Sequence, residues 1–289
     1  MRVLVTGAEG MLGNAFASSC PPNAELICTD VADLDITNKA MVADRLGAEG
    51  PDAVVNLAAY TAVDDCESHE SQALAINGTG PGYLAQSCAA ASIPLLHVST
   101  DYVFDGSLAS GQEYDEGAAT GPLSAYGRTK LAGELAVVAA CSDHWIVRTQ
   151  WLYGLGGPNF VETMLRLAAE RDKLTVVDDQ WGSPTSTHTL APLLWAILQQ
   201  RPAFGIYHGV NRGSCSWYDF ACEIFERAGV AITVEPMDSS GLDRPAPRPA
   251  RSILGTAKLR AALGQDIAPW TEALADYLQR RETVSDTTP

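Results

Sequence analysis

Residues 5–16 read VTGAEGMLGNAF, and the reading of this stretch decides the fold. It follows an apolar run, RVLVTG (2–7), and opens an Ala-containing segment of helical character. Gly7, Gly10 and Gly13 stand in a G-x-x-G-x-x-G spacing, with Met11 and Leu12 opening the helix. That spacing permits a tight turn, close approach of backbone to a pyrophosphate, and close packing of the helix, with the phosphate at the helix N-terminus. A strand, a glycine turn and a helix in that order predict the first unit of a nucleotide-binding α/β sheet.

The rest of the chain repeats the rhythm. Apolar runs at 24–30, 52–59, 93–100, 144–150 and 173–179 alternate with helical stretches. Runs too apolar for one-sided burial predict parallel strands covered by helices on both faces. The expected fold is α/β: a Rossmann-type doubly wound parallel sheet with a smaller C-terminal α/β substrate-binding domain. The expected division is 1–150 for the NAD(P)-binding domain, with a strand near 173–179 returning to the sheet; 151–280 mainly for substrate; and 281–289 as a frayed tail.

Composition narrows the function. A net charge of −16 over 289 residues argues against extended contact with nucleic acid or an anionic membrane. The seven cysteines include no C-x-x-C pair and read as free thiols of a reducing compartment. No run of 18 apolar residues occurs, and the start passes directly into a strand, so a cytoplasmic protein is expected.

Three features carry chemistry. Asp30 ends the second strand, where an acid would hydrogen-bond the adenosine ribose; with no Lys or Arg close behind it, it leans toward NADH. Asp35 and Ile36 are placed either beside the adenine or in a helix-entry turn. YGRTK (126–130) puts Tyr126 and Lys130 at i, i+4, one above the other on a helix. An ammonium there would bring the phenol down toward the working range and bind a ribose. VSTDYVFDG (98–106) supplies Thr100 at the end of the fourth strand, a hydroxyl for a substrate carbonyl.

The segments VVNLAAYTAVDDCE (54–67), STDYVFDG (99–106), SAYGRTKLAGE (124–134), RTQWLYG (148–154), DDQWGSPT (178–185) and RPARSIL (248–254) resemble the dTDP-4-dehydrorhamnose reductase family, a branch of the extended short-chain dehydrogenases/reductases. The resemblance implies reduction of the 4-keto group of dTDP-4-dehydro-L-rhamnose with NADH or NADPH. Thr100, Tyr126 and Lys130 would form the catalytic triad, and Ala58, Ala59 and Tyr60 would line the cofactor. Thr61, Val63, Asp101, Tyr102 and Trp151 would face the sugar or nicotinamide. Arg244, Arg248 and Arg251, in a segment without acids, would meet the diphosphate. Ala15 and His188 stand where magnesium-binding relatives carry glutamates, so no magnesium and at most a weak homodimer are expected. Gln150 replaces the small hydroxyl residue usual before Trp151. Two other readings stay open: a 4-ketoreductase for another dTDP-deoxyhexose, and a non-catalytic subunit like the regulatory subunit of methionine adenosyltransferase.

Overall fold

The structure, a computed structural model, describes residues 1–285, with side chains through 283. Strands β1 (Arg2–Thr6), β2 (Glu25–Thr29), β3 (Ala53–Asn56), β4 (Leu95–Thr100) and β5 (His144–Thr149), with Gly205–His208 beyond β5, form one six-stranded sheet. Every neighbouring pair is parallel. The spatial order is β2-β1-β3-β4-β5 and then Gly205–His208, so the winding reverses between β1 and β3.

Alternation of side chains along each strand explains the two layers. Val3, Val5, Val55, Leu96, Trp145 and Val147 enter one core, with the Met11–Ser18 and Thr187–Gln200 helices. Leu4, Val54, Leu95 and Ile146 enter the other, with Lys39–Glu49, Gly80–Ala91 and Ala125–Ala140. Each fully buried aliphatic side chain contributes roughly 1.5–3 kcal/mol. Phe16 stacks on Trp195 with centroids 4.4 Å apart, and the Trp195 indole donates to the Phe16 carbonyl at 2.9 Å, which fixes the two helices of the first face together.

The strand expected to return to the sheet does not. Lys173–Val177 pairs in parallel with Thr233–Met237, and the position beside β5 is taken by Gly205–His208. Burial gives the reason: Lys173 and Thr175 are exposed while Leu174 and Val176 are buried, the one-sided pattern of a covering ribbon. A third core gathers Tyr153, Phe220 and Tyr277 among the Phe160–Glu170, Trp217–Ala228 and Trp270–Ser285 helices.

The expected boundary at 150 also shifts. Leu190, Leu194, Tyr207, Leu259 and Leu263 pack into the core of the nucleotide sheet, so parts of 151–280 belong to that layer. The Trp270–Ser285 helix runs through 281–285, which the sequence reading had given to a frayed tail; 286–289 lie outside the described residues.

Candidate active site

In an open parallel sheet a ligand crevice lies beyond the carboxyl ends of the strands where the winding reverses. Here that place lies beyond β1 and β3, where a cleft of about 490 Å³ runs from the glycine turn to Tyr126 and on to Trp217.

Its first wall is the glycine turn. Gly7 has φ +69°, and a Cβ there would sit 2.6 Å from the Ala58 nitrogen, so only glycine lets the turn lie on the segment that follows β3. A Cβ on Gly13 would collide with the Ala8 carbonyl, which holds the helix against the turn. Among the described residues no side chain caps this helix, so the amides opening it are left for a ligand. Asp30 stands behind the turn, accepting from the Glu9 and Val31 amides at 3.1 and 2.8 Å.

A polar strut supports the floor. Asn56 Oδ1 accepts from Thr6 Oγ1 at 2.7 Å and from the Ala58 amide at 3.2 Å, so the Asn56 amide donates to His97 Nδ1 at 3.0 Å. This fixes the neutral His97 tautomer with its proton on Nε2. Burial pushes the pKa of His97 well below the ordinary range, with Lys130 acting in the same direction.

The second wall is β4 and the Ala125–Ala140 helix. Ser124 caps that helix by accepting from the Gly127 amide at 3.2 Å. A Cβ on Gly127 would strike the Tyr102 carbonyl, so the helix lies directly on the turn after β4. Tyr126 is thereby buried beside Thr100, with its ring edge-on to Tyr102 at 5.3 Å. Burial raises the phenol above its ordinary value; a hydrogen bond with Thr100 opposes this, and Asp101, Tyr102 and Cys66 add to it. Lys130 donates to the Val98 carbonyl at 2.8 Å. Burial brings it down to about 8, against the pull of Glu134.

The expected lowering of Tyr126 by Lys130 is therefore not found. The ammonium is tied to Val98 and is not among the groups acting most strongly on the phenol, whose dominant influence is burial. A raised phenol is protonated at neutral pH, which suits a proton donor. Beneath Lys130, Glu134 and Arg148 form a bidentate pair at 2.9 and 2.7 Å, each side chain 3% exposed.

Asp101 lies at the centre of the cleft's polar groups. Its Oδ2 accepts from Gln150 Nε2 at 2.8 Å and Ser252 Oγ at 2.6 Å, and its Oδ1 accepts from Thr100 Oγ1 at 3.1 Å. Burial pushes it up to about 6 against these bonds. Gln150 also accepts from the Ser183 amide at 2.7 Å, so the residue that breaks the usual pattern ties three segments together. Trp151, at φ +46°, stacks on Trp217 with centroids 3.5 Å apart.

Of the expected residues, Gly7, Gly10, Met11, Leu12, Gly13, Ala59, Thr61, Val63, Thr100, Asp101, Tyr102, Tyr126, Lys130 and Trp151 line this one cleft. Others do not. Ile36 is buried in the second core, and Asp35 accepts from the Thr37 amide and hydroxyl, the helix-entry turn that was the other reading. Ala58 supports Gly7 from behind, and the Tyr60 phenol donates to Asp65. Of the three arginines, Arg244 and Arg248 meet beside Asp64 and Tyr102, at the edge of the cleft. Arg248 grips Asp64 with contacts at 2.5 and 2.7 Å, and Arg251 lies over the Trp181 ring at 4.7 Å. Arg244 is held below its ordinary value by burial and then by Arg248. Asp64 is distant in sequence, so a segment free of acids gave no sign of it.

Trp217 was missed, although an aromatic directly after the Ser216 cap is a signal. Ser99 and Thr149 were missed too. Their hydroxyls, on β4 and β5 in the cleft wall, are buried and without a hydrogen-bond partner among the described residues. Orphaned hydroxyls, an uncapped helix start and a buried lysine fit a nicotinamide dinucleotide. Ala15 is in the first core, and His188 is half-buried, pushed down by burial and Arg280. Among the described residues no helix is long and apolar enough to cross a membrane.

Comparison with known proteins bears on this cleft. A family model described as the RmlD substrate binding domain matches residues 1–283. A dTDP-4-dehydrorhamnose reductase of Streptomyces griseus is 45% identical, over 95% of this chain and 92% of the relative. A dTDP-4-keto-6-deoxy-D-glucose reductase of Streptomyces niveus is 42% identical, over 94% and 95%. Among solved structures, a dTDP-4-dehydrorhamnose reductase of Bacillus anthracis in complex with NADP superposes with a TM-score of 0.93 at 36% identity, over 96% of this chain and 99% of that one.

Proposed function

The chain belongs to the RmlD substrate binding domain family, and from that membership and the cleft we propose that it reduces the 4-keto group of dTDP-4-dehydro-L-rhamnose to give dTDP-L-rhamnose. It is an NAD(P)H-dependent oxidoreductase of dTDP-rhamnose biosynthesis. The observation that carries the reading is the meeting of a protonated Tyr126, the Thr100 hydroxyl and an uncapped helix start in one cleft.

A bound nicotinamide supplies hydride to the carbonyl carbon. The residues of the chain do the rest. Thr100 holds the carbonyl oxygen, and Tyr126, raised by burial, gives its proton to the oxyanion. Lys130 would hold the nicotinamide ribose, and the buried hydroxyls of Ser99 and Thr149 in the same cleft would be open to the cofactor. The glycine turn and the amides of Met11–Gly13 would hold the pyrophosphate. The stacked pair Trp151 and Trp217 forms an apolar wall for the sugar nucleotide.

The carboxylate of Asp30 suits a ribose hydroxyl better than a 2′-phosphate, which favours NADH, while the NADP-bound relative supports acceptance of NADPH. Magnesium has no part in this reading. The test is cofactor oxidation with prepared dTDP-4-keto-L-rhamnose, run in parallel with NADH and NADPH, and NMR of the product. Turnover to the L-rhamno product is expected; no oxidation with either cofactor overturns the reading. The Streptomyces niveus relative supports a second sugar, dTDP-4-keto-6-deoxy-D-glucose, which the same assay distinguishes.

A further inference from the structure

Trp151 adopts a backbone conformation that a bulky side chain disfavours. At φ +46° it lies in the left-handed region, where such a residue stays only if its surroundings over-determine it. The chain turns there, leaving β5 for Leu152–Tyr153, which pairs in parallel with Thr185–Ser186. The Trp151 carbonyl accepts from the Thr185 amide at 3.2 Å, which fixes the C-terminal side of the turn. The N-terminal side is fixed by Gln150, which is buried.

The Gln150 amide is used at both ends. Its Oε1 accepts from the Ser183 amide at 2.7 Å, and its Nε2 donates to Asp101 Oδ2 at 2.8 Å and to Ser252 Oγ at 2.7 Å. Ser252 Oγ in turn donates to Asp101 Oδ2 at 2.6 Å, which closes a triangle and fixes which way the amide points. The partners come from three parts of the chain. Asp101 follows β4, Ser252 lies in the C-terminal segment, and Ser183 follows Trp181–Gly182. Trp181–Gly182 pairs with Cys215–Ser216, and Trp217 comes next. A Cβ on Gly182 would lie 2.7 Å from both Gln150 Nε2 and Trp151 Cε2, so the bare backbone packs on the amide and the indole together. The Gln150 amide thus pins the strand pair that leads to Trp217 against the end of β5 that leads to Trp151. The two indoles meet there at 3.5 Å, with 13° between their planes.

We propose that Gln150 is a positioning residue: through Asp101, Ser183 and Ser252 it holds Trp151 in its left-handed turn against Trp217, and so sets the apolar wall that receives the sugar nucleotide. The identity of that ligand rests on the ketoreductase reading above. Gln150 acts through Trp151, because both protons of its amide are spent inside the protein. Without the amide, the buried Ser183 N–H loses its partner and the turn loses its anchor on the β5 side. Trp151 then relaxes to an ordinary backbone angle, which swings the indole off Trp217. A side chain that only fills the space beside Gly182 cannot replace this anchor.

The experiment compares the wild-type protein with Gln150→Met, which keeps the length of the side chain and removes its hydrogen bonds. Circular dichroism reads the exciton couplet of the stacked indoles, assigned by its loss in Trp217→Phe, and steady-state kinetics use dTDP-4-keto-L-rhamnose with NADPH. Gln150→Met should lose the couplet and raise KM for the sugar nucleotide about tenfold, with kcat within about threefold and KM for NADPH within about twofold. A retained couplet, an unchanged KM for the sugar nucleotide, or an equal rise in KM for NADPH overturns the proposal. If Gln150→Met does not fold, Ser252→Ala, which removes one partner of the amide, decides the matter. It should weaken the couplet and raise KM for the sugar nucleotide about threefold, and no change in either overturns the proposal. The couplet needs no substrate, so the two readings separate. A wild type without turnover with either cofactor removes the ketoreductase reading, while the couplet of Gln150→Met still decides whether Gln150 holds the two indoles together.

Discussion

Replacing Lys130 by methionine should destroy activity and yet stabilise the protein at neutral pH. The side chain is buried, its ammonium bonded to the Val98 carbonyl, and burial brings it from 10.5 to about 8. At ~1.4 kcal/mol per pKa unit, holding that side chain charged in the fold costs about 3 kcal/mol. Losing the bond to Val98 offsets about 1–2 kcal/mol of the relief, so a net gain of about 1–2 kcal/mol remains. Methionine has nearly the same shape and length, so packing changes little. Thermal and urea midpoints of the two proteins at pH 7 and pH 10 measure the effect, expected at about 2–6 °C at pH 7. The sign with pH follows from the folded value lying below the unfolded one. Between pH 8 and 10.5 the unfolded chain binds more protons, so the wild type gains stability as pH rises, and the methionine variant lacks this contribution. Its advantage should therefore shrink across that window. A variant no more stable than wild type at pH 7, or a difference constant from pH 7 to 10, would refute the reasoning.

Two further outcomes follow from the same site. Glu134→Gln leaves Arg148 buried beside a neutral partner, so urea unfolding should show a loss of about 3–5 kcal/mol; a loss below about 1 kcal/mol would mean the pair is not buried as described. Trp217→Ala removes the face on which Trp151 stacks, so KM for the sugar nucleotide should rise about tenfold with kcat changed less than about threefold; an unchanged KM would remove this wall from the site.

What the sequence revealed and what it hid divide along physical lines. The glycine turn and Tyr126–Lys130 were legible because their geometry is local: a positive φ at Gly7, and one helical turn between the two side chains. The buried strands were legible because two-sided burial leaves unbroken apolar runs. Arg248 with Asp64, Gln150 with Ser252, and Lys173–Val177 with Thr233–Met237 were not, because each depends on chain folded back from far away. The pKa of Tyr126 was misjudged for a related reason. Spacing reports nearness of Lys130 along a helix, but burial and the Val98 carbonyl decide where the charge acts.

The central claim is that Tyr126 delivers the proton in a nicotinamide-dependent carbonyl reduction, and Tyr126→Phe tests it most directly. The measurement is the rate of NADH or NADPH oxidation with dTDP-4-keto-L-rhamnose, together with cofactor binding by fluorescence. The account predicts a fall in kcat of about 10²–10⁴-fold with cofactor binding retained. Near-normal turnover by Tyr126→Phe would contradict it.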